Sequence, residues 1–146
     1  MTLRSAARRD RRRARGQSLV EFALGITVFL TILIGLVDLA RAAWLFNGVS
    51  DAAREIARVT SVHPGTGTLG GSTETTSSVS AERALVPGLT VTSYSCIDIA
   101  GAAVTGTCNP GNWVKVSVRT SFQPILPILS PFGPITFSTA SSAKIQ

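Results

Sequence analysis

The hydrophobic pattern of the chain changes period along its length. From Leu19 to Leu39 it has none: LVEFALGITVFLTILIGLVDL is apolar all round, and the sixteen residues between Glu21 and Asp38 carry no charge. As a helix these 21 residues measure about 31 Å, against about 30 Å for the hydrocarbon core of a bilayer. The stretch is expected to be a transmembrane helix. Beyond it the apolar positions recur at threes and fours: Leu39, Ala42, Phe46, Val49, Ala53, Ile56 and Val59. Asp51, Arg54, Glu55 and Arg58 take the other faces, where Asp51 with Arg54 and Glu55 with Arg58 are favourable pairs. One helix is therefore expected from about Gln17 to about Thr60, roughly 66 Å long, apolar in its first half and amphipathic in its second. Gly48 costs it about 1 kcal/mol and marks an expected soft point. Trp44 is placed to anchor at the membrane interface.

The helical period stops at His63-Pro64-Gly65. Residues 61–80 are rich in Gly, Ser and Thr and read as a loose surface loop. Residues 81–86 have room for one or two helical turns before Pro87-Gly88. Residues 81–146 as a whole read as a small exported strand region. Leu89, Val91 and Ser93 alternate with Thr90, Thr92 and Tyr94. The clearest strand is Trp113 to Phe122, with Val114, Val116, Val118, Thr120 and Phe122 on one face and Trp113, Lys115, Ser117, Arg119 and Ser121 on the other. Four prolines keep Gln123 to Pro134, QPILPILSPFGP, out of any central strand. This apolar segment is either a loop packed on the helix or an exposed docking patch. Alternation resumes at Ile135, Phe137 and Thr139. The expected fold class is α+β: a long N-terminal helix whose outer half covers the apolar face of a small antiparallel sheet.

Charge sharpens the membrane reading. The net charge of the 146-residue chain is +6, but seven of its fourteen basic residues are arginines among the first fifteen positions. From Ala42 onward there are six basic and five acidic residues, so no basic binding face is expected there. Residues 1–16 are expected to be a basic tail held in the cytoplasm, disordered or lying along the inner headgroups, with the C-terminus outside. Nucleic-acid binding is not expected, because the tail has neither interleaved aromatics nor a folded scaffold.

Within the flanks of the span, Glu21 has two readings. It is an interfacial carboxylate, or one that seeks a partner and steers assembly. Asp38 and Arg41, three apart on the helix, can pair at the outer boundary. Cys96 and Cys108 both lie beyond the span, where oxidation is permitted, and are the candidate disulfide. The rivals are two free thiols or half of a metal site. No Cys-x-x-Cys pair exists, and the one histidine, His63, is distant in sequence, so no metal or cofactor is expected. No nucleophile–base–carboxylate arrangement is recognisable, and an enzyme is not expected.

The stretch Gly16 to Arg58 resembles the N-terminal region of TadE-like proteins, minor pilins or pseudopilins of the bacterial tight-adherence (Flp) pilus system. The resemblance is carried by Leu19-Val20-Glu21-Phe22 after a small residue, by the apolar run, by Asp38 and Arg41, and by the Asp51-Ala52-Ala53-Arg54-Glu55-Ile56-Ala57-Arg58 block. It implies a pilin-like architecture and a single-pass protein of the bacterial cytoplasmic membrane that can enter a surface pilus. It also implies processing by a prepilin peptidase after Gly16, which leaves Gln17 first and Glu21 fifth. Phe22 follows, where flp-type pilins often carry tyrosine. A signal-peptidase site at Ala40-Arg41-Ala42 is the other processing reading, although the apolar run is long for a signal peptide. The implied partners are other pilin-like subunits and inner-membrane pilus assembly proteins. The alternative is an uncleaved, signal-anchored envelope protein that binds another envelope protein through its exported domain.

Overall fold

The computed structural model describes residues 3–65, 68–105, 107–126, 131 and 133–146, with side chains from residue 16 onward. Five elements follow in chain order: α1 (Leu3–Val62), α2 (Thr73–Leu85), β1 (Thr90–Ile97), β2 (Trp113–Phe122) and β3 (Ile135–Lys144). The fold is α+β, a long apolar N-terminal helix and a small antiparallel sheet. Two compact units divide it, Met1–Leu39 and Ala40–Gln146.

The first unit lies on α1. The helix starts at Leu3, not at about Gln17, so the basic tail is helical and not disordered, the other expected state being a tail along the headgroups. Alanine and arginine are among the better helix formers, and one glycine at position 16 costs about 1 kcal/mol without breaking the run. The tail's arginine side chains lie outside the described residues. From Gly16 to Val37 every side chain is exposed except at half-buried Gly35. The hydroxyls of Thr27 and Thr31 donate back to the Ala23 and Thr27 carbonyls, at 2.7 and 2.8 Å. That removes their need for water and lets them sit in an apolar solvent.

In the second unit the strands pair antiparallel in the order β1-β2-β3. The buried row of β2 is Val114, Val116, Val118, Thr120 and Phe122, as its alternation predicts. Leu45, Val49, Ala52, Ala53, Ile56 and Ala57 of α1 share one core with that row. Each fully buried valine contributes roughly 1.5 kcal/mol or more. The alanines let the helix axis come close to the sheet. At one end of this layer Phe46 meets Phe137 edge-on, with ring centroids 6.1 Å apart, and the Arg41 guanidinium lies 5.4 Å from the centre of the Phe122 ring.

Three local expectations need correction. Residues 61–80 are not all loop, because α2 begins at Thr73. Ser72 caps it, its hydroxyl accepting from the Thr75 N–H at 3.1 Å, and Glu74 sits in the first turn, where a negative charge is favoured. Thr75 and Val79, four apart, give the helix a buried stripe. Second, β1 does not keep one alternation. Its pairing shifts between Val91 and Ser93, so Val91, Tyr94 and Cys96 stand opposite Val118, Val116 and Val114 on the core face. An extra residue at Thr92 exchanges the faces, and Ser93 leaves the row expected for it. Third, Gly48 is not a soft point. A Cβ there would stand 3.0 Å from Val86 Cγ2, and Val86 is buried. The glycine is the gap into which the end of α2 packs.

Gly48→Ala should therefore lower stability despite its gain of about 1 kcal/mol in helix propensity, since overpacking a tight site costs about 1–3 kcal/mol. Thermal unfolding of the detergent-solubilised protein checks it. A rise in Tm would mean that Val86 yields freely.

Candidate functional site

Gly16, Gln17, Glu21 and Phe22 all lie on the exposed part of α1. Gln17 and Glu21 are four apart and so share a helix face. Nothing lies within 4 Å of where a Cβ on Gly16 would be. The apolar window of the helix that follows is 0% buried within the molecule. Its Leu, Ile, Val and Phe side chains cover themselves against nothing in their own chain, a state that water penalises and lipid does not. The helix is long and apolar enough to cross a membrane. At its C-terminal flank Asp38 is buried to 4% exposure, and Arg41, three residues on, stacks over Phe122.

Cys96 and Cys108 form a disulfide with a Cα–Cα separation of 5.7 Å. Cys96 is buried on the core face opposite Val114, and the bridge fastens the segment leaving β1 back onto the sheet. Two further ties hold that segment: Val104 donates to the Cys96 carbonyl at 2.9 Å, and Asp98 accepts from the Ala102 N–H at 2.8 Å. A recess of about 510 Å³ beside the bridge is lined by Tyr94, Leu69, Pro64 and the two cysteines among others. Tyr94 fills the space over Gly70, where a Cβ would come within 2.5 Å of its ring. Burial pushes the Tyr94 phenol above its usual range, only partly opposed by Arg83.

A second recess, of about 600 Å³, separates the end of α1 from α2 and includes Glu55, Glu74, Glu82 and His63. Glu55 is held by Arg58 at 2.6 Å, and that hydrogen bond draws its pKa down. Glu82 is pushed up, chiefly by burial and then by the carboxylates of Glu55 and Asp51. Among the described residues no three His, Cys, Asp or Glu side chains are grouped to hold a metal ion. A chain of hydroxyls that sequence reading missed links α2 to the end of α1. Ser72 donates to Thr75 at 2.8 Å, Thr75 to Thr60 at 3.4 Å, and Thr60 to the Ile56 carbonyl at 2.7 Å. It satisfies two buried threonines and ties α2 to α1. The serine cap three residues before Thr75 was its available signal.

A match to the family model of TadE-like proteins covers residues 16–58. It holds Gly16, Gln17, Glu21, Phe22, Asp38 and Arg41 as well as the charged block on α1. No curated protein and no solved structure matches the chain.

Replacing Cys96 or Cys108 by serine should cost about 2–4 kcal/mol, and reduction of the parent should reproduce the loss. Thermal unfolding with and without reductant measures both. An unchanged Tm would leave the bridge without a stabilising role. Glu82 supplies a pH test of opposite sign. Its folded pKa lies above the unfolded value, so its charged form opposes folding at neutral pH, and stability recovers as pH falls through the raised value. Glu82→Gln should stabilise the protein at pH 7 by about 0.5 kcal/mol or less, because the group is largely solvated. The difference from the parent should vanish in acid, and a constant difference across pH would count against the assignment.

Proposed function

We propose that this chain is a membrane-anchored, pilin-like minor subunit or assembly subunit of a bacterial tight-adherence pilus or a related secretion system. The observation that carries the reading is the TadE-like match over residues 16–58, which starts at Gly16 and holds the exposed apolar helix. The arginines before the span keep the N-terminus in the cytoplasm and send residues 40–146 outside.

The mechanism follows from where the charges lie. A prepilin peptidase cuts after Gly16, which frees an amine on Gln17. Glu21 stands four residues further along the same helix. In staggered neighbouring subunits the amine of one helix meets the Glu21 carboxylate of the next. Between apolar helices a paired charge is tolerated, whereas a lone one costs several kcal/mol. Packing of the exposed apolar face against neighbours then replaces its contacts with lipid. Other pilin-like subunits and the inner-membrane assembly proteins are the partners on this reading.

Glu21→Ala should leave membrane insertion intact, because it makes the span more apolar, and should reduce co-isolation with pili or the membrane complex by about tenfold or more. Undiminished recovery at matched expression would leave Glu21 an interfacial residue only. Gly16→Ala should block the cut, so that N-terminal sequencing from native membranes finds Gln17 first in the parent and the uncut chain in the variant. An uncut parent would favour the signal-anchored envelope protein instead.

A further inference from the structure

The connection between β2 and β3 leaves the sheet beside the start of the second unit's helix. Phe122 and Ile135 are the last pair of that hairpin. The Arg41 guanidinium lies over Phe122, and Phe46 lies against Phe137 two positions inside the hairpin. Arg41 follows Leu39, the last residue of the apolar run, by two positions, so no more than about 7 Å of chain separates them. Phe122 therefore stays close to the point where the chain leaves the apolar run. The far end of the sheet, where Ile97, Trp113 and Lys144 are paired, is about 30 Å away along β2.

The two ends differ in chemistry. Between Arg119 and Lys144 the sequence contains no charged residue. At this end Trp44 and Ile125 are each 60% exposed and Ile135 is 45% exposed. Pro124 is half-buried, while Pro131 and Pro134 are exposed. The far end carries Asp98, Lys115 and Lys144. Exposed isoleucines and a tryptophan at an end whose charge is that of the Arg41 guanidinium over Phe122 fit the membrane interface, where tryptophan concentrates and arginine reaches the headgroups. Prolines suit an irregular segment there, because each has one donor fewer to leave unsatisfied.

We propose that this end of the second unit is a membrane-contacting surface, with Trp44, Ile125 and Ile135 entering the lipid interface next to the anchor. The inference rests on the reading of Leu19 to Leu39 as a membrane span. Its occupant is lipid and not a second protein because the surface adjoins the chain's own exit from the apolar run. The hairpin end then gives the domain a second point of attachment, which restrains its tilt on the membrane.

Single-tryptophan versions of the full chain in bilayers containing brominated lipids test it. The background is Trp44→Phe with Trp113→Phe, and the probe positions are Ile125→Trp, Ile135→Trp, Phe29→Trp in the apolar run and Ile99→Trp. Ile99 is 93% exposed and follows the far end of β1. Trp113→Phe alone leaves the native Trp44 as a probe that needs no change on the proposed surface. Lipids brominated near the headgroups should quench Trp44, Ile125→Trp and Ile135→Trp by about twofold or more, and leave Ile99→Trp unquenched. Quenching of Phe29→Trp by deeply brominated lipid without quenching at Ile125→Trp and Ile135→Trp would overturn the surface and leave the anchor standing. Protection of those two positions by a protein partner instead would show as that same result. No quenching of Phe29→Trp would overturn the anchor itself, and the surface with it.

Discussion

A three-stranded sheet with a row of valines on one face is not stable until something dry covers that face. In this protein the cover is the second half of α1. Val114, Val116 and Val118 are completely buried, and so are Ala52, Ile56 and Ala57. Small residues on the helix set how closely it approaches, and branched ones on the sheet fill what is left. The flanking features depend on that contact. The glycine at position 48 opens room for Val86, and the hydroxyl chain from Ser72 through Thr60 secures α2 alongside. The aromatic group of Phe46, Phe122 and Phe137 closes the layer at the end near Arg41.

The same helix carries two surfaces with opposite needs. Between Gly16 and Leu39 its apolar side chains are exposed all round, and after Ala40 its apolar stripe is buried under the domain. In the first part the hydroxyls of Thr27 and Thr31 are satisfied by the helix's own carbonyls. The second spends its polar groups on water and on the exposed ion pairs Asp51–Arg54 and Glu55–Arg58, which contribute little energy but keep the outer face soluble. A TadE-like match that covers both parts, residues 16–58, joins the membrane-seeking and domain-covering surfaces in one segment. The proposed pilus role uses the first surface for lateral packing and leaves the second to hold the domain.

Much of this was legible along the chain. The loss of period between Leu19 and Leu39, the return of a helical period after it and the strict alternation of β2 are local patterns. Each reports how a segment meets its surroundings. They sufficed for the α+β class and for the residues of β2 that face inward. The pairing of the cysteines was open by residue type alone. It became definite only with Cys96 on the core face and Cys108 at 5.7 Å between Cα atoms.

Other features had no local pattern to reveal them. The serine- and threonine-rich composition of α2 reads as loop, and its helical state depends on a cap and on a buried threonine whose partner lies 15 positions earlier. The face exchange at Thr92 follows from register against β2, which no single strand encodes. The tight approach at Gly48 depends on Val86, which comes from the end of a different helix. Sequence by itself determined which segments avoid water, because hydrophobicity and its period are properties of neighbouring residues. The tertiary structure decided which surfaces meet, because a cap, a bulge or a glycine gap takes its meaning from atoms that are distant along the chain.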